Sequence, residues 1–258
     1  MINITFVTAW YNLKSKFNSE TYQTWMSNFL NNSNDFNLVI YTNKESMDMV
    51  KLYTKKPNVK IILKEFHEFK CYKYDWIANH KKNTLLNQID WKLNMLWNEK
   101  IAFVKETIDK EIFNTDWYGW CDIGYFRNAK FDIRRWPNED KINNLDKNKI
   151  YYAKVNPNIN TLCEVVLNKN NNGLPSKEIP PNQISFAGGF FLINANKMNW
   201  WHNTFYEKLE LYFTHNYLIK DDQIILLDCI VSNTIHFSII QQIISGKDPW
   251  FAFQDFLL

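Results

Sequence analysis

Several enzyme signatures are missing from this sequence. No G-x-G-x-x-G follows the first apolar run, and there is no G-x-x-x-x-G-K-[ST], H-E-x-x-H or G-x-S-x-G. These absences argue against a dinucleotide oxidoreductase, a P-loop enzyme, a zinc peptidase and an α/β hydrolase. Cysteine is scarce. Cys71, Cys121, Cys163 and Cys229 are widely spread with no C-x-x-C pair, which suits buried thiols in a reducing compartment better than a disulfide frame or a zinc site. The cytoplasm is the expected compartment. A surplus of one charge is also missing: 30 basic against 27 acidic residues leave +3, with no basic run dense enough to track a phosphate backbone, so no nucleic-acid partner is expected. No apolar run approaches the ~20 residues of a membrane span, and Ile4 to Thr8 is reached without the basic and apolar segments of a secretory signal. No stretch rich in Pro, Gly and Ser divides the 258 residues, which points to one domain over 1–258.

Aromatic residues are plentiful at 17%, enough for a sizeable core with rings left over for a binding surface. Ile4 to Thr8 reads as a first strand, followed by a polar loop from Trp10 to Phe17. Asn18 or Ser19 then caps a helix with a Tyr22, Trp25, Met26, Phe29, Leu30 stripe. Leu38 to Thr42 is a second strand, Asn43 caps a short helix, and Val59 to Leu63 is a third strand. This alternation predicts an α/β fold with a mostly parallel sheet flanked by helices. Residues 64–90 show no clean period and read as an insertion. The helix from Trp91 to about Ile112 carries Lys100 inside its apolar stripe, three after Trp97 and four before Val104, so a cation is aimed at the buried face. Its stem either snorkels to water or its ammonium meets a carboxylate or phosphate.

After a strand at Ile150 to Val155, the polar segment 156–181 reads as a mobile loop able to act as a lid. In the strand Ile184 to Ile193, Gly188 and Gly189 predict a bulge or a close ligand approach. Asn196 is placed to cap a helix to about His215. One of Asp221 and Asp222 could cap a helix from Gln223 to Val231, but two adjacent acids exceed what a cap requires. Thr234 to Ile240 resembles a last strand carrying His236, and the aromatic tail from Pro249 to Leu258 should dock on the body.

The stretch Trp117 to Arg127 organises the rest. It is aromatic or small up to Cys121, as a strand buried on both faces would be, and Asp122 then arrives where such a strand leaves the sheet. Asp122 and Gly124 also read as a plain turn. Ligands of open α/β sheets collect outside the carboxyl ends of strands, however, and glycine lets backbone approach them closely. Asp122, Lys100, the glycine pair and the acids at 221 and 222 suit a nucleotide-diphosphate ligand. A metal on Asp122 and a cation such as Lys100 would neutralise the leaving group, and a nearby carboxylate would orient an acceptor hydroxyl.

At these residues the chain resembles the HtrL/YibB/WlaTC-like glycosyltransferases. The similar features are Phe6-Val-Thr-Ala-Trp-Tyr11, Leu38-Val-Ile-Tyr-Thr42, Lys100, Tyr118-Gly-Trp-Cys-Asp-Ile-Gly124, Arg127, Ala187-Gly-Gly-Phe-Phe191 and Asp221-Asp-Gln223, in order over nearly the whole chain. The resemblance implies a GT-A-type fold that moves a sugar from a nucleotide-sugar, a UDP-sugar above all, to a hydroxyl of a glycan or other acceptor. It implies donor binding by Thr8, Ala9, Tyr11, Lys100, Asp122, Gly124, Arg127, Gly188, Gly189 and Gln223. Catalysis would fall to Asp222, with Asp221 next, and a divalent metal, Mn²⁺ or Mg²⁺, to Asp122 with His236. Two departures stand out: many GT-A enzymes carry Asp-x-Asp where this chain has Asp122-Ile-Gly124, and the family's first-loop arginine is replaced in charge by Lys14 or Lys16. A sugar- or nucleotide-binding module without turnover and a nucleotidyltransferase are the alternatives.

Overall fold

The computed structural model describes residues 1–53, 55–128 and 136–258. β1 (Ile4–Trp10) is buried along its whole length, with Val7 and Ala9 facing one core and Phe6 and Trp10 the other. α1 (Ser19–Leu30) begins where Asn18 Oδ1 accepts the Thr21 N–H at 2.9 Å, and it lays Met26, Phe29 and Leu30 on the second of these cores. β2 (Asn37–Thr42) pairs parallel with β1, and β3 (Val59–Leu63) pairs parallel with β2.

Residues 64–90 are more ordered than their pattern predicts. 3₁₀ turns at Phe66–Glu68 and Lys70–Lys73 lead into α2 (Trp76–Lys81), capped by Asp75. Polar anchors replace a periodic apolar face here. Glu99, fully buried in α3 (Trp91–Asp109), accepts the Lys70 and Cys71 N–H groups at 2.8 and 3.0 Å and faces the Lys64 ammonium at 3.5 Å. Burial raises the Glu99 pKa, and Lys64 and the two N–H groups oppose that rise.

β4 (Trp117–Cys121) pairs parallel with the free edge of β1. After α4 (Glu139–Asn143), β5 (Ile150–Lys154) and α5 (Asn160–Leu167), β6 (Phe186–Asn194) inserts antiparallel between β4 and β5. α6 (Met198–Thr214) and α7 (Asp222–Ser232) follow, then β7 (Phe237–Gln241), parallel to β5, and α8 (Ala252–Phe256). The described residues thus form a seven-stranded mixed sheet in the order β3-β2-β1-β4-β6-β5-β7, with β6 the only reversed strand. Phe103 of α3, Trp201 of α6 and Leu227 of α7 cover one face, while Phe29 of α1 and Phe253 of α8 cover the other. The carboxyl ends of the parallel strands share one edge, and the start of β6 lies on that edge with them. Among the described residues no helix is long and apolar enough to cross a membrane.

The bulge expected at Gly188 and Gly189 is present: Tyr152 pairs with Phe191 but Lys154 pairs with Phe186, so the register slips across the glycines. Side-chain alternation slips with it, since Phe186 faces one core while Phe190 and Leu192 face the other. Two expectations are corrected. Segment 156–181 holds α5 and the bridged turn Lys169–Pro175, buries Val166, Leu174 and Ile179, and pins Lys169 to the buried Asp228 of α7; it is packed and is no lid. Asn194, not Asn196, starts the α6 region, accepting the Asn196 N–H at 3.3 Å into a 3₁₀ turn at Ala195–Lys197.

Candidate active site

A cavity of about 400 Å³ opens at the ligand-side edge, between the ends of β1 and β4, the start of β6 and the start of α7. At its floor Lys100 Nζ lies 2.8 Å from the Gly188 carbonyl oxygen, 3.2 Å from Asp122 Oδ1 and 3.1 Å from Asp222 Oδ2. The Lys100 and Asp222 side chains are only 8% and 7% exposed, whereas that of Asp122 is 40% exposed and faces the opening. The Trp120 indole N–H donates to Asp122 Oδ1 at 2.6 Å, and the Asp122 N–H donates to the Gly189 carbonyl at 2.8 Å, which fixes the strand end. Burial pulls the Lys100 pKa down, but the carboxylates of Asp122 and Asp222 more than reverse this and leave it raised. Asp222 is pushed up to about 7 by burial, against the opposing pull of Lys100 and with added repulsion from Asp221 and Asp122.

Asp221 sits at the N-cap of α7 without making a side-chain cap bond. Its Oδ2 pairs with Lys220 at 3.0 Å, and its buried Oδ1 has no partner among the described residues. Asp222, in the first turn, points to Lys100 instead. The chain before these acids is held by asparagines from α2, α3 and the turn between them. Asn79 and Asn94 both donate to the Ile219 carbonyl, at 2.8 and 2.9 Å, Asn79 Oδ1 accepts the Ile219 N–H at 3.0 Å, and Asn83 donates to the Lys220 carbonyl at 2.9 Å. These contacts fix where α7 begins, and through it the Asp222 carboxylate.

The upper wall is aromatic. The Arg127 guanidinium carbon lies 4.3 Å from the Trp25 ring centre, 5.2 Å from Phe17 and 5.1 Å from Phe251, so this exposed cation is held among three rings. Trp250 and Phe251 come from the docked tail.

The structure brings Ala9, Tyr11, Lys100, Asp122, Gly124, Arg127, Gly188, Gly189, Asp221, Asp222 and Gln223 to this one cavity. Thr8 does not line it, because it is fully buried within β1, one residue short of the edge. His236 is corrected more strongly. It ends a 3₁₀ turn before β7, at the edge opposite Asp122, where its ring packs tilted against Trp200 with centroids 4.0 Å apart and lies 3.3 Å from Lys197 Nζ. Lys16 lines the cavity, its pKa lowered by burial and by Lys220, while Lys14 donates to the Asn87 carbonyl away from it. Sequence reasoning placed Tyr22 and Trp25 in the core stripe of α1 and missed Phe17, Trp97 and Asp248 as lining residues. The signal for the first two was there: with Met26, Phe29 and Leu30 already filling the core, the stripe is wider than packing needs.

The residues do not fit the expected divalent metal. His236 is at the wrong edge, Asp122 Oδ1 is already held by Lys100 and Trp120, and a Cβ at Gly124 would lie 2.8 Å from Trp25 Cε3, which excludes the second acid of Asp-x-Asp. Among the described residues no group of three His, Cys, Asp or Glu is placed to hold a metal ion. No protein-family model matches the chain, and no curated protein matches it.

Proposed function

We propose that the protein is a GT-A-type glycosyltransferase that moves a sugar from a nucleotide-sugar, a UDP-sugar in the first instance, to a hydroxyl of a glycan-type acceptor. The observation that carries this is the Lys100 cluster with Asp122 and Asp222 at the floor of an aromatic-walled cavity on the carboxyl edge of a mostly parallel sheet. The rings offer faces for a base and a sugar, and Lys16 and Arg127 offset the charge that grows on the departing diphosphate. Asp222 takes the acceptor's hydroxyl proton as the acceptor oxygen bonds to the anomeric carbon and the bond from that carbon to the donor phosphate breaks. A base with a pKa near the working pH is matched to that role.

Product analysis over a panel of UDP-sugars and hydroxyl acceptors tests this. Free UDP with a glycosylated acceptor supports it. Pyrophosphate release identifies a nucleotidyltransferase instead, and UDP-sugar binding without either product identifies a binding module.

A further inference from the structure

Resting on that reading, the geometry points to a donor site that works without a divalent metal: the Lys100 ammonium fills the cation position between Asp122 and Asp222, and Arg127 meets the diphosphate. An ammonium has three N–H donors, and Lys100 has three oxygens within 3.2 Å, those of Gly188, Asp122 and Asp222. One N–H donates to the Gly188 carbonyl and the charge is paired with both carboxylates, so Lys100 is engaged by the protein and its charge is balanced before any phosphate arrives. Its own position stands against a metal between the two carboxylates, because a divalent ion bridging them would have to share their space with a buried positive charge. The glycine pair completes the arrangement. A Cβ at Gly188 would lie 2.6 Å from Asp222 Oδ2 and would force that carboxylate to move, and one at Gly189 would lie 3.1 Å from Asp122 Oδ2 and would crowd it by a few tenths of an ångström, so the missing side chains let both carboxylates close on the lysine.

The diphosphate then needs cations whose N–H groups are presented to the opening. Arg127 is built for this. Trp25, Phe17 and Phe251 surround its guanidinium, it lines the same cavity, and its planar fork suits a pair of phosphate oxygens. The 40% exposed Asp122 lies on the open side of the cluster, where its charge is tied down by Lys100 and Trp120 and repels an incoming phosphate less.

Two titrations test the assignment. Calorimetry with UDP should give the same Kd within about twofold in EDTA and in Mn²⁺, and Arg127→Ala should weaken UDP by about tenfold or more in both buffers. Electron paramagnetic resonance with Mn²⁺ alone should find no Asp122-dependent binding to the wild type, while Lys100→Ala, verified as folded by circular dichroism, vacates the position and binds Mn²⁺ at least about tenfold more tightly. A UDP affinity that collapses in EDTA, or Mn²⁺ binding to the wild type that Asp122→Asn abolishes, overturns the inference even if the lysine variant fails to fold. Absence of UDP binding in both buffers refutes the UDP-sugar reading instead, and the wild-type Mn²⁺ titration still decides whether Lys100 excludes a metal.

Discussion

Gly188→Ala disturbs the charge cluster without altering any charge. The added Cβ would lie 2.6 Å from Asp222 Oδ2 and 2.9 Å from Oδ1, where ordinary contact begins at 3.4 Å, so the carboxylate must retreat by about 0.8 Å. Asp222 has a short side chain in the first turn of α7, and rotation about χ1 absorbs most of the clash. The stability loss should therefore be about 1 kcal/mol, at the low end for overpacking. Catalysis should suffer more. The 3.1 Å contact to Lys100 lengthens, and a misplacement near 1 Å costs about 10² in rate, so kcat should fall by that factor while UDP affinity changes little. Urea unfolding and UDP release measure the two effects. In an Asp222→Ala background there is no carboxylate to displace, so Gly188→Ala should add almost nothing to the loss of rate. Wild-type turnover in Gly188→Ala, or rate losses that multiply in the double variant, would refute the reasoning.

Four further outcomes follow from the same geometry. Turnover should rise with pH, bend near pH 7 and level off above it as Asp222 ionises, and Asp222→Asn should abolish that bend and lower kcat by ~10², checked by a pH–rate profile. Because the folded pKa is raised, native Asp222 keeps a proton that the unfolded chain releases between about pH 4 and 7, so it lowers stability progressively across that window. The Tm of Asp222→Asn should accordingly gain on the wild type as pH rises from 5 to 8. Asn79→Leu strands the Ile219 N–H and should cost about 1–3 kcal/mol in urea unfolding, whereas Asn94→Leu should cost less because Asn79 still serves the Ile219 carbonyl. Gly124→Asp, which restores Asp-x-Asp, drives a side chain into Trp25; it should lower stability by about 1–3 kcal/mol and confer no Mn²⁺ binding by paramagnetic resonance.

Much of the sheet was legible because its strands alternate cleanly: β1 and β3 stand where their β-branched and aromatic runs predict. Lys100 was legible for a similar reason, since a charge inside a helical apolar stripe has to find a partner. The reversal of β6 was not, because Phe186 to Asn194 is apolar enough to be buried whichever way it runs. That ambiguity also hid the position of His236, whose edge depends on how β5 and β7 are oriented relative to β4. Asn79, Asn83 and Asn94 were invisible as anchors among so many asparagines, for their partners are backbone groups at Ile219 and Lys220 and backbone contacts leave no pattern in sequence. α5 was lost among the Asn- and Pro-rich residues on either side of it.

The insertion of β6 between β4 and β5 also bears on how the chain is made. β4 acquires β1 as a neighbour early, but its other edge waits for a strand that begins roughly 65 residues after Cys121. At ~5–20 residues per second a ribosome needs about 3 to 13 s to supply it. Throughout that interval Trp117, Tyr118 and Trp120, each at most 3% exposed in the finished protein, flank an edge of unpaired N–H and C=O groups. The nascent chain thus carries an aromatic seam open to self-association until β6 emerges.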